Sequence, residues 1–402
     1  MILQSKSVQR PRRTVVALGT AQTLAWGSTY YLPAMLAPAI ARDLNIAAPT
    51  VFGAFSAALV ISAVVGPWAG REIDRRGGRT VLMCTNAIFA AGLGALGLVH
   101  SVWALFAAWA IIGIGMGSGL YEAAFATVVR LYRDEARNLI TGITLIAGFA
   151  STIAWPLTTV LETQFGWRGA CFTWAALHLL IGLPLNATLP VFKAARPAHQ
   201  AVEATSKTST GNAKPWNVQQ RVAAALLVYV FAVSWFISTA MASHLPRLLV
   251  AAGATLAVAV GVGGLIGPAQ VAGRLVEFSL MRHISPLLSA RLAALAHPTG
   301  ALLLVTLGTS FSAVFAILHG AGNGILTIAI GTLPLMFFGA EGYGARQGWL
   351  MMPARVTQAL APLVFGIALD QFGPQVAWLS AALGFSAFLA LLMVRPPAAR
   401  SS

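Results

Sequence analysis

The sequence predicts an all-α membrane protein with twelve transmembrane helices in two pseudo-symmetric six-helix bundles. Three observations carry this. The 402 residues are 57% hydrophobic and only 9% charged, whereas a soluble globular domain carries about 25% charged residues. Apolar runs long enough to cross a ~30 Å hydrocarbon layer recur along the whole chain. The two halves also repeat. Gly113, Gly115 and Gly117 return as Gly320, Gly322 and Gly324, and Gln164-Phe165-Gly166 returns as Gln371-Phe372-Gly373, both at an offset of 207 residues. Gly66-Pro67 returns as Gly267-Pro268, at an offset of 201. Alternate glycine is common in membrane helices, but three correspondences at nearly one spacing point to duplicated halves.

Taken in order, the predicted spans are 15–40, 50–70, 80–99, 102–129, 139–161, 169–190, 221–245, 254–276, 286–307, 310–336, 348–369 and 375–394. The tail from Lys6 to Arg13 is basic, and the apolar run after it exceeds a signal-peptide core and shows no clear cleavage site, so it reads as an uncleaved first helix. Lys193–Gln220 is polar, rich in Ser, Thr and Lys, and lacks apolar periodicity, as a flexible linker does. The expected organisation is therefore an N-terminal bundle over 1–192, a linker over 193–220 and a C-terminal bundle over 221–402.

Orientation follows from the basic residues, which accumulate on the cytoplasmic side of membrane proteins. With both termini in the cytoplasm, the 26 lysines and arginines fall in cytoplasmic tails, loops and linker, except Arg42, Arg168, Arg247 and Arg355. The opposite topology would invert that distribution. The net charge of +15 does not indicate a nucleic-acid binder, because the cations punctuate apolar spans instead of forming a stripe on a soluble domain. Cys84 and Cys171 both lie in apolar runs, so no disulfide framework is expected. The seven histidines are scattered, and no catalytic order, metal-ligand spacing or phosphate-cradling loop stands out. The expectation is no enzyme, no cofactor, no metal and no obligate protein partner.

Ionisable groups inside spans carry the functional reading, since a charge at the bilayer centre costs at least ~2.5–3.5 kcal/mol and usually faces a cavity. Arg355 in the eleventh span and Glu122 in the fourth are of opposite sign, in opposite halves and at similar expected depth. They are predicted to line one central cavity. Arg355 would attract an anionic group, and Glu122 would carry a proton or pair with Arg355 when substrate is absent. The alternatives are a snorkelling Arg355 and a Glu122 that fixes helix packing. Gln22, Trp26 and Tyr30 share one helical face of the first span. Trp235 on the seventh span, Asn323 on the tenth, Tyr121 beside Glu122, and Gln358 three residues after Arg355 complete the candidate substrate or coupling set. Trp103 and Trp167, at span ends, read as interfacial anchors.

The densest charge lies in Gly70-Arg71-Glu72-Ile73-Asp74-Arg75-Arg76-Gly77-Gly78-Arg79, between the second and third spans. Gly70, Asp74, Arg75, Gly77 and Arg79 fit a pattern that resembles the signature loop of the major facilitator superfamily, with Gly78 where a base is usual. The resemblance implies two six-helix repeats around a midplane site for a small-molecule substrate, and a charge layer that gates the cytoplasmic side. Asp74, Arg75, Gly70, Gly77 and Arg79 would belong to that gate, with Arg130, Arg133, Asp134 and Arg137 meeting Asp74. Arg274 and Glu277 would be a weakened second copy of the loop and not substrate ligands.

Gly117-Ser118-Gly119-Leu120-Tyr121-Glu122, then Arg133, Arg137 and Thr141-Gly142, resemble the monocarboxylate and oxalate:formate antiporter branch. Glu122 departs from that pattern, where a small residue or Pro is more usual. Drug–proton antiporters usually place an Arg where Trp109 stands and a Gly-Pro-Gly-Gly-like motif where Trp155-Pro156-Leu157 stands. The resemblance implies a secondary transporter of a small organic anion in the inner cell membrane, moved with or against protons. Export of a toxic small molecule is the alternative, and a transporter-like sensor is the reading from another class.

Overall fold

The computed structural model describes residues 11–191, 216–280 and 283–395, and these are almost entirely helical. Expectations about the basic N-terminal tail, most of the 193–220 linker, the C-terminal tail and the Asp134 side chain lie outside the described residues.

Among the described residues, nine helical stretches are long and apolar enough to cross a membrane. The first span adds a tenth, split into Pro11–Ser28 and Leu32–Asp43. Two of the nine are double. Ala136–Ala187 turns back at Gly166, and Tyr343–Met393 turns back at Gly373. Twelve spans result. The fourth is broken after Gly119, between Val102–Gly119 and Tyr121–Tyr132. The seventh starts at Val218, where Asn217 and Gln220 form a capping box, so helix extends into the predicted linker.

The sequence repeats now have a physical reason. Gly166 and Gly373 have φ of 71° and 55°, a region where a Cβ would clash, and each reverses the chain after an equivalent span. Gly113 and Gly117 bring the fourth span against the backbone of Ala58 and Ser62 on the second, while Gly115 faces Phe89 on the third. Gly320, Gly324 and Gly322 do the same against Ile266 and Gln270 on the eighth and Ala293 on the ninth. Small residues of this kind let membrane helices approach closely, and packing then replaces the missing hydrophobic drive. Two hydrophobic clusters follow the halves. One runs from Ala17 to Leu189, with Tyr343 and Ala359 added, and the other from Ala223 to Val394.

The halves meet along two seams. Span two lies against span eleven, with Gly66 and Pro67 facing Gly348, Gly70 facing Gly344, and Ser56 Oγ donating to the Ala359 carbonyl at 3.1 Å. Ala136–Ala147 of span five packs on Ile266–Ser279 of span eight. Gly70→Ala would drive a methyl into the Gly344 carbonyl. Overpacking of this kind costs ~1–3 kcal/mol. A thermal-unfolding midpoint several degrees below wild type is expected, whereas Gly94→Ala, with nothing within 4 Å of its Cβ position, should leave the midpoint unchanged.

At one end of the molecule two polar latches bridge the halves. Asp74 accepts from the backbone N–H groups of Gly344 (2.9 Å) and Ala345 (2.8 Å), at the start of Tyr343–Phe372. Those N–H groups have no helical partner of their own, and a carboxylate suits both them and the helix dipole. Arg137 donates to the Ile284 carbonyl at 3.0 Å and lies 3.6 Å from Glu277, whose other oxygen accepts from Ser289.

Several expectations change here. Arg75 is exposed and Arg79 half-buried. The cations whose charge acts on Asp74 are Arg346 and Arg130. Glu72 is held by Arg76 at 2.9 Å. Gly77, with φ of 83°, ends the second span. Arg133 is exposed, whereas Arg137 reaches the eighth span's Glu277 and not Asp74. Trp103 is 85% exposed, as an interfacial ring is, but Trp167 is buried beneath the Arg168 guanidinium, 4.2 Å from its ring centre.

Candidate functional site

Between the halves lies a cavity of ≈ 80 Å³, several times the ~10–15 Å³ that one water needs. Five aromatic rings form part of its wall. Trp26, Tyr30 and Tyr31 come from the first span, Tyr121 from the fourth and Trp235 from the seventh. Gln270 and Arg274 from the eighth span, with His319, Asn323 and Thr327 from the tenth, supply the polar side.

The rings hold one another. Trp26 and Trp235 face each other across the two halves, nearly parallel at 3° and 6.0 Å apart. Tyr121 lies 4.8 Å from Trp26, and Tyr30 lies 5.1 Å from it edge-on. Tyr30 Oη is 3.2 Å from Thr239 Oγ1 of the other half. Asn323 Nδ2 donates to Ser238 at 3.1 Å.

Gln22 plays a different part from the one its helical face suggested. Its Nε2 donates to the Gly119 carbonyl at 2.7 Å, where the fourth span breaks. Leu120 there is extended, and helix resumes at Tyr121 with Glu122 in its first turn. A carboxylate at that position is favoured by the helix dipole. The break thus aims Tyr121 into the cavity and places Glu122 toward span eleven.

Arg355 and Glu122 do meet. Arg355 Nη2 donates to both carboxylate oxygens, at 2.8 and 3.0 Å, and Nη1 donates to Gln358 Oε1 at 3.0 Å. The guanidinium carbon lies 5.1 Å from the Trp235 ring centre and 5.9 Å from that of Trp26, within cation–π range. Because span eleven begins at Tyr343, Arg355 sits twelve residues into it, about 18 Å at ~1.5 Å per residue. This is deeper than the sequence suggested. The pair adjoins the two tryptophans, but neither residue is on the cavity wall. Pairing is one of the two roles expected for Glu122, while the cavity itself is lined by other side chains.

Arg274, which the internal symmetry assigns to a second copy of the gate loop, is the cation on that wall. It is 4% exposed, and its Nε and Nη1 have no hydrogen-bond partner. Nη1 occupies the space where a side chain at Gly148 would stand. No carboxylate pairs with Arg274 among the described residues. A buried guanidinium without an anion is costly, and its planar fork matches a carboxylate with two parallel hydrogen bonds. Gly148→Val is expected to displace it and to weaken anion binding about as much as removing the arginine, as measured by ligand-induced thermal stabilisation.

Two bundles of membrane helices enclosing a polar-tipped aromatic cavity at their seam define a multi-pass membrane carrier. The family model for the Major Facilitator Superfamily matches residues 18–334, and the chain belongs to that superfamily of transporters. Among curated proteins it is similar to a gentisate transporter of Corynebacterium glutamicum, 23% identical over 82% of this chain and 75% of that one. It is also similar to an oxalate:formate antiporter of Oxalobacter formigenes, 32% identical over 41% of this chain and 39% of that one. A multidrug resistance protein MdtL of Salmonella heidelberg is 29% identical over 43% of each chain. In fold it resembles the superfamily transporter FucP in its outward conformation, with a TM-score of 0.72 at 16% identity, covering 95% of this chain and 99% of that one.

Proposed function

We propose that this protein transports small organic anions, aromatic monocarboxylates among them, by alternating access. The observation that carries this reading is Arg274, a buried cation on the cavity wall at the seam whose Nε and Nη1 have no hydrogen-bond partner and which no carboxylate pairs among the described residues. A carboxylate would take the guanidinium fork, and a flat ring would lie against Trp26, Trp235 and Tyr121. Arg355 is already neutralised by Glu122 and would shape the tryptophan wall from behind. The likeness to a gentisate transporter and to an oxalate:formate antiporter points to the same chemistry.

The Asp74 and Arg137 latches would hold the halves closed at their end, which the basic residues assign to the cytoplasm. Gly70 supports that closure by close packing and Gly77 by the turn, while Arg75 and Arg79 would face the membrane surface. Asp74→Asn weakens the charge-assisted part of the first latch, a class of bond worth ~1.5–3 kcal/mol. It should raise the labelling rate of a cysteine introduced at Ser234 by a thiol reagent added from the cytoplasmic side.

Thermal unfolding of purified protein with benzoate, gentisate and the uncharged benzamide tests the substrate class, because a ligand of the native state raises the midpoint by mass action. Stabilisation by either carboxylate but not by benzamide is the expected result. Export of toxic compounds, favoured by the likeness to MdtL, would instead be supported by stabilisation with cationic or uncharged drugs and none with the two carboxylates.

A further inference from the structure

Two histidines that the sequence shows as unrelated meet inside the C-terminal half. His297 on Pro286–Leu307 and His319 on Ser312–Phe338 are both buried, and their Nδ1 atoms are 2.9 Å apart. Phe315 stacks on His319 with ring centres 5.8 Å apart and planes 10° apart, and it meets His297 edge-on. The pair stands between two cavities. His319 and Asn323 line the central one, and with His297 and Ser234 they also line a second of ≈ 30 Å³, enough for about two waters.

Proton counting shows what such a pair can hold. A contact between two Nδ1 atoms needs a hydrogen on one of them only. The ring that accepts at Nδ1 carries its own hydrogen on Nε2, so the ring that donates has a bare Nε2. The neutral pair therefore has one vacant basic nitrogen. One added proton fills it and leaves the shared Nδ1–H in place. A second would set two N–H groups against each other at 2.9 Å. The pair takes one proton and then stops.

The surroundings tie that proton to an anion. Arg274 of span eight shares the central cavity with His319, facing Tyr30 and Tyr31 of the first span and Tyr121 of the fourth. Ser234 of the seventh span is the polar group on the second cavity's far wall, and the Ser380 backbone of the twelfth faces His297. Among the described residues no carboxylate lines either cavity. Glu122, once a candidate proton carrier, is held by Arg355, Glu277 by Ser289 and Arg137, and Asp74 by backbone N–H groups. In the empty cavity the positive charge of Arg274 disfavours a further cation on the histidine pair. A carboxylate seated on Arg274 removes that opposition.

We infer that the His297–His319 pair is the proton-coupling site of this transporter, taking up one proton when an organic anion binds at Arg274. This rests on the anion reading above. Coupling of binding equilibria is reciprocal, so protonation tightens anion binding and deprotonation loosens it. Between the pH at which the pair titrates without the anion and the higher pH at which it titrates with the anion bound, anion affinity falls by up to about tenfold per pH unit.

The test uses the purified full-length protein in weakly buffered detergent solution, with benzoate as probe, a pH-indicator dye to count protons and the melting midpoint to report binding in the same sample. The expected result is uptake of about one proton per bound benzoate and none with benzamide. His297→Gln, at a residue outside the central cavity's wall, should still be stabilised by benzoate, and the double variant with His297→Gln and His319→Gln should take up no proton, whereas His178→Gln, whose imidazole lies outside both cavities, should keep the uptake. Stabilisation of wild type without uptake, or uptake that survives in the double variant, overturns the proposal while leaving the anion reading intact. No stabilisation of wild type by benzoate overturns the anion reading and this proposal with it. If the variants do not fold, wild type decides alone: affinity that falls with pH supports the pair, and affinity independent of pH overturns it.

Discussion

Arg274→Gln is expected to abolish benzoate-induced stabilisation while leaving the empty protein at least as stable as wild type. The two halves of that expectation have one cause. In the empty cavity the guanidinium is buried with Nε and Nη1 unpartnered, a desolvation cost with no Coulombic return. Removing the charge removes the cost, so the unfolding midpoint should stay or rise. With the anion bound, the same charge becomes one partner of a buried hydrogen-bonded pair, whose truncation costs ~2–5 kcal/mol. At ~1.4 kcal/mol per tenfold, that is a loss of affinity of roughly thirty-fold to several thousand-fold. Arg274→Lys keeps the charge without the planar fork and should fall between. Unchanged benzoate binding in Arg274→Gln would remove Arg274 from the site.

The Arg355–Glu122 pair gives the second large effect, with the opposite pattern. Arg355→Gln or Glu122→Gln alone strands a buried charge, a change that costs ~3–5 kcal/mol. Each single variant should melt well below wild type, and the double variant should recover most of the loss. Such a double-mutant cycle isolates the pair's own coupling from the packing of either side chain. Benzoate affinity separates a structural pair from a substrate ligand. Where the pair only braces the tryptophan wall, folded Arg355→Gln keeps its stabilisation by benzoate. If Arg355 itself receives the carboxylate, Glu122→Gln frees the guanidinium and tightens binding, while Arg355→Gln loses it.

The sequence made the architecture legible because the bilayer restricts the answer so strongly. Spanning segments must be long, apolar and helical, and the twelve spans appear within a few residues of their predicted places. The Gln-Phe-Gly and alternate-Gly repeats were legible because each glycine has a single use. Gly166 and Gly373 turn the chain, and Gly113, Gly117, Gly320 and Gly324 admit a neighbouring backbone. Arg355 and Glu122 drew notice as charges inside apolar runs. That rule finds a charge but not its partner, and it could not separate a neutralised pair from an open ligand.

The burial of Arg274 on the cavity wall is not legible in the sequence, because it stands near a span end, where a cation is ordinarily solvated. Only the packing of Ile266–Ser279 on Ala136–Ala147, beside the small Gly148, buries it on the cavity wall. His297 and His319 are 22 residues apart on different helices, and no spacing rule joins them. By itself, then, the sequence determined the number, order and kind of spans and the duplicated halves, since these follow from local polarity and from glycine's lack of a side chain. Only the tertiary structure decided which buried charges are neutralised, which cation is left open and which two imidazoles share a proton, because each depends on a contact between helices distant in the chain.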